Sequence, residues 1–442
     1  MRMKRKLMLL VVVAVTVFIA LGCGRSRPMV IWVGAEVQEF YQEKMDEYIE
    51  FYNANNDEPF PFLVEVRAAD TGSAAATFLD DMDAGPDILT VAHDNLGRLI
   101  AGAGAIRPIQ SQSLLDQIEA QNPQTFLDVI TASVGGEEYV FGVPYEAQSL
   151  ILYYNKAYLT EEDVKTWEGI WDVAQAEGKR SLSITGTDGF NNSFLVLSSV
   201  VETGERIVRL YEDGVLENTE FVTDYMVSVL KWGQRFFTSP NGARQASDSG
   251  WSADLSTATS LAVIGGAWHF NEARAALGNN LGIAVLPTFT LTEDDVYGDV
   301  QAGTVMQSGT FTDTKMFVMN RSSDKLDYLE DILLFLTHKD VQEESFERNN
   351  TLPAYKNAID EFPAMQADDI STQLAVAQVA MFEHGIPQPF GREARFNVYY
   401  YQRQAPDRIL SILRNTDNKF NNDAAIVTEM QAIERIWLGI RD

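Results

Sequence analysis

The sequence predicts an α/β protein of two lobes, each built on a mostly parallel sheet covered by helices. Strand-like and helix-like periods alternate along the chain, which is the signature of βαβ units. The alternation restarts near Leu150. The roughly 420 residues from Cys23 onward exceed what one hydrophobic core usually serves.

The order of elements begins with an export signal. Arg2, Lys4, Arg5 and Lys6 precede an uncharged apolar run from Leu7 to Leu21, which is shorter than the roughly 20 residues a spanning helix needs and reads as a signal peptide over 1–22. Ala20-Leu21-Gly22-Cys23 resembles a bacterial lipobox, with Ala20 in place of the usual Leu; the resemblance implies that Cys23 is lipidated and becomes the new N-terminus. Val30–Gly34 then reads as a strand and Glu36–Asn55 as a helix. Phe62–Val66 is a second strand, Ser73 caps a helix to Met82, Asp87–Ala92 is a third strand, and a helix follows over 94–103.

In the second series Leu150–Tyr154 is a strand, Trp167–Ala176 a helix and Ser181–Thr185 a strand. An apolar helix spans Asn192–Val201 and a longer one Thr223–Phe237. Strands at Leu261–Gly265, Leu281–Leu286 and Lys315–Asn320 and a helix at Leu326–Leu336 come next. From about Tyr355 the chain reads as helical, including Ser371–Glu383 and Asp423–Ile440. No flexible linker separates the series, which implies several crossings between the lobes.

Composition narrows the function. Cys23 is the only cysteine, so the mature chain holds no internal disulfide and keeps no thiol for redox chemistry. The formal charge is −29; without the four leader cations, 30 basic residues face 63 acidic ones. Such a surface repels nucleic acid and anionic lipid, and suits an uncharged or cationic ligand, although acidity also serves solubility alone.

In open α/β sheets ligands sit beyond the carboxyl ends of the strands, so the residues just after each strand are the candidates. These are Glu36, Asp94-Asn95, Glu146, Asp188 with Phe190, and Trp268. A carboxylate accepts two hydroxyl hydrogen bonds side by side, and the C–H face of a pyranose stacks on an aromatic plane, so this set suits a sugar. Each residue alone has a structural alternative. Asp94, for one, opens a helix and can cap it.

Three blocks then carry a family resemblance: GPDILTVAHDNLGRLIAGAGAIRPI (85–109), VPYEAQSLILYYNKAYL (143–159), and SLAVIGGAWHF through LGIAVLPTF (260–289). In order, they resemble maltose/maltodextrin-binding proteins of ABC importers, within the family 1 extracellular solute-binding proteins. The resemblance implies a two-lobed periplasmic binding protein fold of type II, hinged about a central cleft that closes on a linear glucan. It implies a sugar site at Glu36, Asp94, Glu146, Asp188, Phe190 and Trp268, with Tyr400, Tyr401 and Arg403 as counterparts of a late aromatic pair and its Arg. The family's Lys beside the first acid is Val37 here, its Trp before AHD is Val91, and its basic residue after AHD is Asn95. Two donors and one stacking surface are therefore missing, which leaves the sugar and its length open.

Other chemistry is poorly supported. Asp81-x-Asp83-x-Gly85 would need a Glu where an EF-hand has its twelfth position, and Ala92 stands there. The four histidines form no zinc pair, and neither a G-x-S-x-G nor a Walker A motif occurs, so no metal or other cofactor is expected and transport energy must come from a separate ATPase subunit. The reading is a monomeric, lipid-anchored, extracytoplasmic binder of a neutral oligosaccharide that partners an ABC permease, with no nucleic acid. Lobe 1 takes 27–144 and 303–351; lobe 2 takes 145–302 and 352–442. A secreted glycosidase using two carboxylates in the same cleft, and a sugar sensor, remain the alternatives.

Overall fold

The structure is a computed structural model describing residues 27–101, 104–208, 220–247, 250–367, 369–388 and 405–438. Cys23 and its leader, and Tyr400, Tyr401 and Arg403, lie outside the described residues. Two sheets and two large cores organise the rest. The first sheet runs in the order Gly385–Pro387, Thr310–Asn320, Ile88–Ala92, Met29–Val33, Val64–Ala68, with Val143–Gln148 and Ile106–Arg107 also paired to the long strand Thr310–Asn320. The second runs Ala243–Gln245, Arg180–Ile184, Ser260–Gly265, Ile151–Asn155, Leu281–Ala284.

Both sheets are mixed, where the alternation predicts mostly parallel ones. Strands joined through helices are parallel, as Met29–Val33 is to Val64–Ala68 and to Ile88–Ala92. The antiparallel partners are strands on which the chain crosses or doubles back: the long strand lies antiparallel to Ile88–Ala92 and Val143–Gln148, and Ile151–Asn155 lies antiparallel to both its neighbours. None of these antiparallel pairs is a hairpin: the partners are far apart in the chain, so their direction is set by where the chain re-enters the sheet and not by a short turn.

One core gathers apolar side chains from 29–145 and 316–341, the other from 150–311 and 374–433, and a small third cluster of Phe126, Ala147, Phe346, Leu352 and Phe362 lies apart from both. The long strand has all eleven residues buried; Phe311 at its start belongs to one core and Phe317 near its end to the other. It is therefore one of the bridges between the lobes.

Several elements differ in detail from the sequence pattern. The N-cap of the helix Thr71–Asp80 is Asp70, not Ser73: its carboxylate accepts the Ser73 N–H at 2.8 Å. The apolar stretch 192–201 forms only a short helix, Ser193–Val196, and then the strand Ser199–Val200, which pairs with Val305–Gln307. Its uniform apolarity reflects full burial, with Phe194 to Leu197 all inside the core, rather than one helical face. The helix over 94–103 shrinks to a turn His93–Asn95 followed by Leu96–Ile100. The strand begun at Lys315 starts five residues earlier, and the otherwise helical tail includes the strand Gly385–Pro387.

Candidate functional site

A cavity of about 900 Å³ opens between the two sheets, and Glu36, Asp94, Asn95, Glu146, Asp188, Phe190 and Trp268 all line it. All but Glu146 follow a strand; Glu146, expected just after one, lies inside the strand Val143–Gln148, because the β run continues past Pro144 to pair with Thr310–Asn320. Glu36 occupies the turn Ala35–Val37 after Met29–Val33, and Asp94 and Asn95 the turn after Ile88–Ala92. A Cβ on Gly34 would overlap the Glu36 carboxylate, so glycine at that strand end lets the acid fold back over the backbone.

Glu146 is the deepest of the acids, with 2% of its surface exposed. It stands opposite Lys315 on the long strand, and directly opposed residues of an antiparallel pair share one face of the sheet. The pairing is offset there, between Lys315 and Met316, which leaves Tyr145 as the extra residue of a bulge and keeps Glu146 and Lys315 in register. Lys315 Nζ lies 3.1 Å from an oxygen of Glu146 and 3.1 Å from one of Glu36, and the Gln148 amide donates to the same Glu146 oxygen at 2.9 Å. The second Glu146 oxygen, Oε2, is buried without a hydrogen-bond partner. An unpaired buried acceptor costs about 1–3 kcal/mol, so that oxygen gains by meeting a donor.

The titration of the three groups follows from this packing. Burial, helped by the nearby Glu36 charge, raises the Glu146 pKa against the pull of Lys315. For Glu36, burial pushes upward, but the Lys315 ammonium and a backbone hydrogen bond outweigh it and leave the pKa below the ordinary carboxylate value. Burial pushes Lys315 down, and the two carboxylates together lift it above the usual lysine range.

The opposite wall is aromatic. Trp268 follows the strand Ser260–Gly265 and is 44% exposed, with the Phe190 ring edge-on to it at 5.7 Å and Phe311 behind Phe190 at 6.1 Å. Gly266 has no room for a Cβ because the indole lies against it, and the Tyr153 hydroxyl fixes this turn by donating to the Gly266 carbonyl at 2.8 Å. Asp188 accepts the Phe190 N–H at 2.8 Å, so part of its role is to shape the turn that presents the ring.

Comparison with known proteins bears on this arrangement. The family model described as bacterial extracellular solute-binding protein matches residues 47–373. The chain belongs to that family. Members are binding proteins, so this solute-binding protein is a binder rather than an enzyme, and its place is extracytoplasmic. Solved structures share its fold. The maltodextrin-binding protein MalE1 of L. casei BL23, without ligand, has a TM-score of 0.72 at 20% identity, covering 94% of this chain and 99% of that one. MalX of Streptococcus pneumoniae in complex with maltopentaose has a TM-score of 0.69 at 16% identity over 93% and 99%. The maltose-binding MalE of Listeria monocytogenes in complex with maltose has 0.67 at 15% over 93% and 96%. No curated protein sequence matches the chain.

The cleft of the solute-binding protein also holds residues that strand-end reasoning passes over: Lys315, Asp313, Gln148, Arg98, Asp70 and Asn271. Two cations, Lys315 and Arg98, thus line the cleft although positions 37 and 95 carry none. Arg98 stands one turn beyond Asn95 and donates to its side-chain oxygen. Lys315 comes from a strand distant in sequence, and starting that strand at Lys315 hid the residue at an apparent edge. Beneath the cleft His93 is fully buried between the Asp313 carboxylate, 2.5 Å from Nδ1, and the Gln388 carbonyl, 3.0 Å from Nε2.

Proposed function

We propose that this solute-binding protein captures a neutral oligosaccharide, of maltose or maltodextrin type, and delivers it to an ABC permease while tethered through lipidated Cys23. The observation that carries the reading is the pairing of walls: acids from separate strands and strand ends on one side of a 900 Å³ cavity, an exposed indole backed by a phenyl ring on the other. Vicinal hydroxyls fit the first and a pyranose face the second. The maltose and maltopentaose named in the complexes of similarly folded proteins agree with that chemistry.

Sugar is held at Glu36, Asp94, Asn95, Glu146, Asp188, Phe190 and Trp268, and the family resemblance adds Tyr400, Tyr401 and Arg403, which lie outside the described residues. The lobes, 27–144 with 303–351 and 145–302 with 352–442, close as a hinge. A ligand touching both walls favours the closed state by its differential affinity. The protein acts as a monomer.

A thermal-shift screen of the intact chain across di- and oligosaccharides tests the reading, because a ligand at a hundredfold excess over its dissociation constant adds about 2.7 kcal/mol of stability. Maltose, maltotriose or maltotetraose should raise the melting temperature. A shift with another sugar alone would replace the glucan, and no shift with any saccharide would remove the sugar reading.

A further inference from the structure

We propose that Lys315 is a ligand-contacting residue of the cleft, whose remaining N–H and the unused Glu146 oxygen form a donor–acceptor pair that reads a single hydroxyl of the bound saccharide. The inference rests on the sugar reading above and deepens it.

An ammonium carries three donors and no acceptor. Glu36 and Glu146 occupy at most two of them, each at 3.1 Å, and Lys315 lines the cavity with 7% of its surface exposed. On the neighbouring strand, Glu146 spends Oε1 on Gln148 and Lys315 and keeps Oε2 buried without a partner. A donor and an acceptor with spare capacity therefore stand side by side on one face of the sheet. A sugar hydroxyl is the group that satisfies both, because it donates and accepts at once. An ether oxygen can only accept, and a hydrogen in place of the hydroxyl does neither.

The placement also constrains how the contact acts. Lys315 sits on the long strand that joins the two cores, so its backbone is fixed by pairing on both sides, to Ala92 and to Glu146, and its ammonium is held by Glu36 and Glu146. A flexible surface lysine pays side-chain entropy on binding; this one is already ordered by its two carboxylates. Lys315 is thus a specificity residue supplied by the bridge between lobes, in place of the basic residues absent at Val37 and Asn95.

Titration calorimetry with maltotetraose on the wild type, Lys315→Met, Glu146→Gln and the double variant tests this. If Lys315 donates to the sugar, Lys315→Met binds at least tenfold more weakly, and the double variant binds at least fivefold more weakly than Glu146→Gln alone. If Lys315 serves only to neutralise Glu146, the double variant matches Glu146→Gln within twofold, and the proposal is overturned. The double variant buries no unpaired charge at this pair, so it stays informative if Lys315→Met folds poorly. Absence of heat with wild-type protein would overturn the glucan reading itself, an outcome separate from equal affinities among variants that do bind.

Discussion

The two walls of the cleft solve the same problem in opposite ways. The centre of the polar wall is buried and tied down: Lys315 is held between two carboxylates, Glu146 is nearly sealed from solvent, and both stand on paired strands, while Glu36 at the edge stays open. The aromatic wall is open, with Trp268 nearly half exposed on a turn rather than on a strand. A charge must be ordered before the ligand arrives, since its hydrogen bonds lose value when the groups can turn to water; an indole needs only a clear face. On the proposed function, orientation and discrimination fall to the first wall, and contact area to the second.

Removing the central carboxylate should do most to separate the walls. Glu146→Ala should weaken saccharide binding by about 2–3 kcal/mol, as expected for losing a charge-assisted partner. It should also strand Lys315 on Glu36 alone. Unchanged affinity by calorimetry would take Glu146 out of the site and undo the contrast. Trp268→Ala should cost less, about 1–2 kcal/mol, because an exposed ring has less to lose than a buried ion pair. If its loss exceeded that of Glu146, the aromatic wall would be the dominant one. Indole fluorescence unmoved by saturating sugar would argue that the ring does not touch ligand.

A smaller change sharpens the point about the open wall. Gly266→Ala places a methyl where the Trp268 indole lies, so the ring must swing away while the rest of the cleft stays in place. Affinity should fall by part of the Trp268→Ala effect, about 0.5–1 kcal/mol, with circular dichroism unchanged. An affinity equal to wild type would mean that the position of the indole in the structure is not the one that binds.

Much of this was legible in the sequence, for physical reasons that differ from residue to residue. Glu36, Asp94 and Trp268 follow strands of strong apolar character, and a strand end is a place the topology sends to the crevice. Glu146 was legible because a lone carboxylate between two β-rich runs is hard to bury without a purpose. Lys315 was not, because its meaning comes from a partner strand 169 residues away in the chain, which no local period encodes. The antiparallel strands were missed for a similar reason: alternation shows that strands and helices take turns, not which way the chain returns. The short helix Ser193–Val196 misled because complete burial erases the period that separates helix from strand.

The slightest of the expected effects concerns the ground on which the polar wall stands. His93 is fully buried; burial alone would lower its pKa, but Asp313, with Asp94 and the Gln388 carbonyl, outweighs that and raises it above the ordinary histidine value. A histidine whose folded pKa is raised contributes stability that is complete below the unfolded value, near 6.5, and fades as pH rises through the folded value. Unfolding free energy should therefore fall over that window, at no more than about 1.4 kcal/mol per pH unit for one proton. Glu146, also raised, sheds its proton contribution in the same direction but from the lower carboxylate range upward, so the part that begins near 6.5 is what His93 adds. Urea denaturation of wild type and His93→Gln at half-unit steps from pH 5.5 to 8.5 isolates that part. The variant should lose the decline that sets in near 6.5, and an identical slope in both proteins would mean that the buried imidazole holds no extra proton.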